Sequence, residues 1–526
     1  MNLADYFLYA VRRFPEAMAV VDEQVRWRYR DLHREVATVA ANLQQLGLVS
    51  GDHVLVVLKN RRENIVIYWA CQLLGLVYTP VNFRMALNEL AYCIGDADPR
   101  IVFYEADNRE MVERALAQAQ SSAKAFAVGA HPSLASETVP PSPFLPQEKA
   151  TLGPLPTVHE DAIAIMLYTS GTTGRPKGVP RSHRNEVSAA EAHIIQNQFS
   201  LFESTLGVMP FYHTMGMRTL LYTTFLNGKL VLLPDYDTEA ALQLIAQEKL
   251  TSLYLVPTLF YDLVNHPNLD RYDLRSLTKL GYAGAAMTSA LTQLCFERLK
   301  PRVFINHFGS SEVYTFTICS WLDRKPTCAG RPGFHEDVRI VIADPSRRVL
   351  PDEMVGPGEP GEVIVSLASP EAFKGYWHRP DANEKALREG WYFTGDVGMW
   401  DEEGDLWVQG RVDDMLISGG ENIHPLEVED VLARHPKVHE VAVAGLPDER
   451  LGQIVAAFVV PADPSLTAEE LEQFCLANPG LARFKRPRRY IFIQEVPKSP
   501  VGKILRRKLQ AGEYRPYQAA VSQPQR

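Results

Sequence analysis

Residues 162–178 read AIAIMLYTSGTTGRPKG, an apolar run that stops abruptly in glycines, hydroxyls and one lysine. The first six residues have the composition of a buried strand. Glycines interleaved with Ser and Thr then give a loop of free N–H and O–H donors, which suits the β and γ phosphates of ATP. The loop is not a Walker P-loop, because no Gly-Lys-Ser/Thr follows at the required spacing. A Gly/Thr turn alone is an ordinary connection. The unbroken order from Tyr168 to Gly178 makes this one a phosphate-loop candidate.

Apolar runs on either side extend the pattern. Upstream, the apolar runs HVLVVLK, IVIYWACQLLGLVYTPV and RIVFYEA alternate with helical pattern such as Leu32–Leu48. Downstream, the loop-bearing strand opens a second series: TLGVMPF, GKLVLLP, SLYLVP, KLGYAG and RVFINHFG. Strands separated by helices predict mostly parallel sheets covered on both faces, with ligands gathered where the strands stop. Residues 131–160 hold seven prolines in mostly polar sequence and read as a linker. From about residue 335 the texture turns antiparallel (VRIVIAD, GEVIVSL, WYFTGDVGMW, DLWVQGRV), and a fresh unit begins after Gly410-Arg411-Val412-Asp413. That unit alternates helix PLEVEDVLARH, strands VHEVAVAGL and QIVAAFVV, helix TAEELEQFCLA and a basic tail.

At 526 residues the chain exceeds one ordinary core, so a large domain and at least one smaller one are expected. The formal net charge of -9 excludes a protein that clings as a whole to nucleic acid or an anionic membrane. Six cysteines lie far apart without a Cys-x-x-Cys pair, which predicts buried reduced thiols. Asp5 and Arg12-Arg13 interrupt the N-terminus where a secretory signal needs an apolar run, and no stretch reaches the ~20 apolar residues of a bilayer span. A soluble cytoplasmic protein is expected.

Further motifs stand at strand ends. Asn306-His-Phe-Gly-Ser-Ser-Glu312 places hydroxyls and one carboxylate past RVFI, and a single glutamate beside phosphates is a usual magnesium ligand. Tyr392-Phe-Thr-Gly-Asp-Val-Gly398 offers Asp396 as an acceptor for ribose hydroxyls, with Arg411 one strand later. Gly356-Pro-Gly-Glu-Pro-Gly361 matches a dinucleotide-binding pattern but leads into a strand and places prolines where N–H donors are needed, so it reads as a turn. His435 and His439 are separated by Pro436 and are not read as metal ligands. Ten Lys and Arg residues lie between Arg483 and Lys508, yet the intervening YIFIQEVP is a strand, so this cluster is folded and meets a small polyanion rather than nucleic acid.

In order along the chain, YTSGTTGRPKG, FGSSE, YFTGD, GRVDDMLISGGENIHPLEVE and KSPVGKILRR resemble the adenylate-forming superfamily of acyl-CoA synthetases, adenylation domains and luciferases. The likeness runs from Asp31 to Lys508 and is nearest to 4-chlorobenzoate:CoA ligase and related aryl-acid CoA ligases. It implies an α/β fold: a large N-terminal domain of parallel-type sheets with helices and a small antiparallel barrel-like part, over residues 1–411. A hinge at 412–413 and a small mobile α+β C-terminal domain, 414–526, complete it.

The implied activity is an ATP-dependent acid:CoA ligase working through an acyl-adenylate, with ATP, Mg2+ and coenzyme A. By the resemblance, Lys503 assists adenylation, Thr169, Ser170, Gly171, Thr172, Thr173, Gly174 and Lys177 hold phosphates, and Ser310 and Ser311 lie beside the nucleotide. Glu312 holds the metal, Asp396 and Arg411 the ribose, and Gly284, Ala285 and Ala286 run along the adenine. Asp413 is the hinge. His213 stands beside the carboxylate and the thiol path. Tyr254, Ala283, His307, Gly309, Tyr314 and Thr315 line the acid pocket. Arg84, Gly419, Gly420, Phe484, Arg486 and Arg488 meet coenzyme A, while Leu451 replaces the tryptophan that the chlorobenzoate type sets against the CoA adenine.

Two aromatics and a histidine in the pocket point to an aryl or alicyclic acid, hydroxylated because His307 and Tyr314 replace apolar residues. The alternatives are a medium-chain fatty acyl-CoA synthetase and a stand-alone enzyme that loads a carrier-protein phosphopantetheine. A non-catalytic nucleotide sensor is disfavoured by the presence of both Glu312 and Lys503. Homodimers occur in the resembling family, and no residue here specifies one.

Overall fold

The computed structural model describes residues 1–23, 25–129, 151–169, 175–344, 347–414, 416–418, 421–478, 481–498 and 504–517. Among these, four sheets organise the chain. The first runs Lys124–Val128, Ile101–Glu105, His53–Val57, Val77–Pro80, Ile163–Thr169, Lys177–Ser182 in spatial order, parallel except for the last strand. His53–Val57 is buried at every position, as a central parallel strand with both faces covered must be.

The second sheet has a parallel centre, Val303–Phe308, Lys279–Tyr282, Ser252–Leu255, Ser204–Gly207, Lys229–Leu232 and Met18–Val21, with antiparallel strands at both edges. One expectation changes here. Strand Ile163–Thr169, expected to open the second series, pairs with Val77–Pro80 of the first through Tyr78 and Ile165. The N-terminal strand Met18–Val21 instead joins Lys229–Leu232 of the second. An apolar run specifies a strand but carries no label for its neighbour, which is chosen by how the covering helices pack.

Those helices form a shared core. Arg62–Leu74 is buried at every position from Asn64 to Leu74, and Thr214–Phe225 at every position from Met215 onward. Phe7 stacks on Trp69 with ring centroids 4.7 Å apart, tying helix Leu3–Arg13 to the same layer. Helix His183–Gln196 starts at a reciprocal cap in which Ser182 Oγ accepts the Asn185 N–H and Asn185 Oδ1 accepts the Ser182 N–H.

The third sheet is antiparallel, built from Val338–Val341, Gly361–Ser366, Trp391–Trp400, Leu387–Arg388 and Leu406–Arg411. Gly356–Gly361 enters it as a turn, with the Glu359 N–H donating to Gly356 O at 3.1 Å. The fourth, downstream of residue 411, pairs the long strands Val438–Asp448 and Gly452–Pro461, with Arg489–Phe492 added in parallel and helices Pro425–Leu432 and Ala468–Ala477. The basic stretch thus contains its strand. All six cysteines are buried free thiols, and no helix of the described residues is long and apolar enough to cross a membrane.

Candidate functional site

The phosphate-loop candidate is framed by two antiparallel strands, with Thr169 opposite Lys177. Ser170, Gly171, Thr172, Thr173 and Gly174 lie outside the described residues. At the frame, Lys177 Nζ sits 4.2 Å from the centre of the Tyr376 ring. Tyr376 in turn donates its hydroxyl to Glu312 Oε1 at 2.6 Å. Burial lowers the Lys177 pKa and the Glu312 carboxylate opposes that shift, so the ammonium is poorly hydrated and responsive to an added anion. Burial, then Glu312, push the Tyr376 phenol far up, which keeps it a hydrogen-bond donor.

Glu312 is placed by a turn at the end of strand Val303–Phe308. Ser310 Oγ accepts the Glu312 N–H at 3.2 Å, and the Ser310 N–H reaches Val313 O at 3.0 Å. A Cβ on Gly309 would lie 2.1 Å from Tyr314 O, so only glycine permits this closure. Gly309, a pocket candidate in the sequence, is therefore a backbone requirement of the turn. Arg181, wholly buried, clamps the turn from behind: its Nη1 donates to Ser311 O, Glu312 O and Glu371 O at 3.2, 3.3 and 2.9 Å. Its Nε pairs with Glu186 at 2.5 Å.

Asp396 and Arg411 face each other across neighbouring strands and pair at 2.7 Å. Gly395 bends the strand with φ +72°, and a Cβ there would come within 2.9 Å of the Arg411 guanidinium. Asp396, then burial acting in the opposite direction, set the raised pKa of Arg411. Burial and then Glu312 push Tyr392 up, with Arg411 and Asp396 acting on the same phenol. The metal and ribose candidates thus converge on one place. Ala283, Gly284, Ala285 and Ala286 leave strand Lys279–Tyr282, the parallel neighbour of the strand that leads to Glu312.

The acid-pocket candidates Tyr254, His307, Tyr314 and Thr315 are buried together. The rings of Tyr254 and His307 lie 5.3 Å apart. Three residues that the sequence reading missed join them. Arg218 donates to Thr315 Oγ1 at 2.7 Å, lies 3.8 Å from Glu371, and sits over Tyr314 at 5.0 Å. His193 lies 5.0 Å from Tyr254 and 4.9 Å from His307, ring to ring, and Asn197 bridges the two histidines. The signals were present: Arg218 is the one charged residue in TMGMRTLLYTTF, and His193 and Asn197 are four apart on one helix face.

His213 precedes helix Thr214–Phe225, and burial lowers its pKa to about 4, so it is neutral near pH 7. A row of rings leads outward from it: Tyr212 at 4.6 Å, Phe83 at 6.2 Å from Tyr212, then exposed Arg84 5.0 Å over Phe83. On the C-terminal unit Phe484 is 43% exposed and Arg488 is exposed, while Arg486 pairs with Glu472 and Lys485 with Glu427. Arg486, expected to meet coenzyme A, is thus paired with Glu472 here. Val412–Asp414 forms a single helical turn at the expected hinge, whereas Gly419, Gly420 and Lys503 lie outside the described residues. His439 accepts or donates a 3.1 Å bond with Tyr261, and His435 lies 3.5 Å from Glu470.

Comparison with known proteins gives a consistent result. The AMP-binding enzyme profile matches residues 7–377, and the AMP-binding enzyme C-terminal domain profile matches 427–503. The chain is 32% identical to a long-chain-fatty-acid–CoA ligase of Bacillus subtilis (strain 168), covering 94% of this chain and 92% of that one. It is 31% identical to a 4-chlorobenzoate–CoA ligase of an Arthrobacter species, covering 95% and 93%. The solved O-succinylbenzoate coenzyme A synthetase of Bacillus subtilis, in complex with ATP and magnesium, superposes with a TM-score of 0.82 at 26% identity over 96% of this chain and 98% of that one.

Proposed function

The chain belongs to the AMP-binding enzyme family and is an AMP-forming acyl-CoA ligase, and from that premise we propose how its own residues divide the work. A carboxylate oxygen attacks the α-phosphorus of ATP. The new P–O bond forms as the bond to the β-phosphate breaks, giving acyl-adenylate and pyrophosphate. The CoA thiolate then attacks the acyl carbon, and AMP leaves with the electrons of the C–O bond.

Lys177 and the loop from Thr169 to Gly174 hold the departing phosphates, and Lys503 stabilises the charge that develops at the α-phosphate. Asp396 accepts ribose hydroxyls, with Arg411 holding its carboxylate in place at 2.7 Å. Glu312, a buried carboxylate bonded to Tyr376 beside Lys177, suits Mg2+, which would neutralise phosphate charge when bound. His213, neutral near pH 7, would take the thiol proton. Rotation about Asp413 exchanges Lys503 for Gly419-Gly420 between the two steps.

The observation that carries this reading is the proximity of Lys177, Tyr376 and Glu312 to the Asp396–Arg411 pair, with Lys177 and Tyr392 under the influence of both. The aromatic row from His213 to Arg84 and the exposed Phe484 and Arg488 support free CoA as acceptor over a carrier protein. The ring cluster of Tyr254, His193 and His307 favours a ring-bearing acid, aryl or alicyclic, over a fatty acyl chain. The enzyme acts among small molecules: the acid, ATP and CoA.

Lys503→Ala separates the two steps. Pyrophosphate release is expected to fall by at least ~10^2-fold while thioester formation from supplied acyl-adenylate persists. Equal loss of both steps would remove Lys503 from the proposed role. Loss of CoA dependence in the wild type, with transfer to a phosphopantetheinyl carrier, would overturn the acceptor.

A further inference from the structure

Behind the pocket, the hydrogen bonds of Asn197 assign protons to two buried histidines. Asn197 follows helix His183–Gln196, and its Nδ2 lies 2.8 Å from the carbonyl of His193. A carbonyl oxygen only accepts, so this atom of the amide is the nitrogen. The same NH2 group donates to His193 Nδ1 at 3.1 Å. His193 Nδ1 is therefore a lone pair, and its proton resides on Nε2. On the other side of the amide, Oδ1 lies 3.1 Å from His307 Nε2. An amide oxygen only accepts, so His307 carries its proton on Nε2 and leaves Nδ1 bare. Burial holds both rings well below the usual histidine pKa, followed for His193 by His307 and Arg218 and for His307 by Arg218, so both are neutral.

This leaves one donor and one acceptor unused. His193 Nε2 and His307 Nδ1 have no hydrogen-bond partner, although the two residues are 1% and 2% exposed and their rings are 4.9 Å apart. Each unmade bond costs about 1–3 kcal/mol in the empty protein. A hydroxyl is the small group that answers both, accepting from His193 and donating to His307.

The surrounding charge favours a neutral group over a second carboxylate at this end. Arg181 pairs with Glu186, and Arg218 faces Glu371 and binds Thr315. Glu336 beside them is pushed up to about 8 by burial and by Glu371, and is protonated at pH 7. Two guanidinium groups thus lie beside two carboxylates, so the local charge is near balance and gives an anionic substituent little net attraction.

We propose that the floor of the acid pocket selects a ring acid bearing a neutral hydroxyl at its far end, read by His193 Nε2–H and His307 Nδ1, with Asn197 as the positioning residue that fixes both tautomers. The assignment rests on the ring-acid reading given above. Its competitor is a single buried water bridging the two rings, which would leave the enzyme indifferent to the substituent.

The test measures kcat/KM for acyl-CoA formation by the intact enzyme with 4-hydroxybenzoate against benzoate, and 4-hydroxycyclohexanecarboxylate against cyclohexanecarboxylate. Wild type should prefer the hydroxylated member of at least one pair by about tenfold or more, the worth of one satisfied buried hydrogen bond. His307→Leu removes the acceptor and should bring that ratio close to one. Asn197→Asp accepts from His193 Nδ1 and moves the proton off Nε2. It should lower the ratio and shift the histidine 15N resonances of the free enzyme from one tautomer to the other. Equal use of both members by wild type, or a ratio unchanged in His307→Leu, overturns the hydroxyl reading alone. Turnover of straight-chain fatty acids with no ring acid accepted overturns the ring-acid reading, and this inference with it.

Discussion

Glu336 accepts a hydrogen bond from Ser369 Oγ at 2.8 Å and shares its buried surroundings with Glu371, Arg181 and Arg218. Its pKa is about 8 in the folded chain against 4.5 for an exposed glutamate, first through burial and then through Glu371. Between those values the folded state holds a proton that the unfolded state has released, so this group withdraws stability as pH rises from 4.5 to 8. Glu336→Gln keeps the shape and removes the titration. The variant should lose less stability than wild type between pH 6 and pH 8, read as Tm. A variant that parallels wild type over that range would show that Glu336 is ionised. The histidines work in the other direction. His53, His183 and His213 are each lowered to about 4 by burial, so below pH 6.5 the unfolded chain takes up protons that the folded rings refuse. Thermal stability should therefore fall as pH drops from 6.5 toward 4, by up to about 1.4 kcal/mol per pH unit for each ring. Urea unfolding at pH 7, 6 and 5 would show it, and a flat profile would contradict their neutral burial.

At the scale of an element, the turn Gly309–Glu312 shows what a strand end requires. Gly309 was legible in the sequence as part of FGSSE, but the reason for glycine was not. A Cβ would collide with Tyr314 O at 2.1 Å, and that contact joins residues five apart only once the strand has turned back as Thr317–Cys319. Gly309→Ala must displace backbone rather than a flexible side chain. It should cost about 2–4 kcal/mol of stability and lower adenylation by more than tenfold, since Glu312 and Tyr314 both hang from this turn. Unchanged Tm and pyrophosphate release would show that the turn relaxes freely. The helix Thr214–Phe225 carries the complementary lesson. Its sequence TMGMRTLLYTTF shows an apolar segment with one arginine, yet the partners of that arginine, Thr315 and Glu371, lie about 100 and 150 residues away. Periodicity reports which face is buried, and it does not name what the face meets.

For the whole molecule, the decisive arrangement is that of the C-terminal unit on the rest. Tyr261 bonds His439, and Asp262 on the same helix is raised by burial and faces Lys498, His439 and Glu440. Within the small unit Arg506 ties Asp414, next to the hinge, to Glu429, at 3.5 and 2.6 Å. The Tyr261–His439 bond between the two units is polar, which suits the proposed rotation about Asp413. A proline at the hinge tests this. Asp413→Pro fixes φ and should reduce CoA thioester formation by at least ~10^2-fold while leaving pyrophosphate release within about threefold of wild type. Equal retention of both steps would mean that one arrangement serves the whole reaction.

The sequence by itself determined the strand and helix types, the order of the motifs and the family, and it offered Lys177, Glu312, Asp396 and Arg411 as candidates, because each of these depends on residues close together in the chain. The tertiary structure decided the rest. It moved strand Ile163–Thr169 into the first sheet, set Asp396 against Arg411, engaged Arg486 with Glu472, and brought Arg218, His193 and Asn197 to the pocket. The physical reason is the same in each case. Strand partners, ion pairs and the proton positions on two buried histidines depend on contacts between residues far apart in sequence, and no local pattern encodes which distant group will complete them.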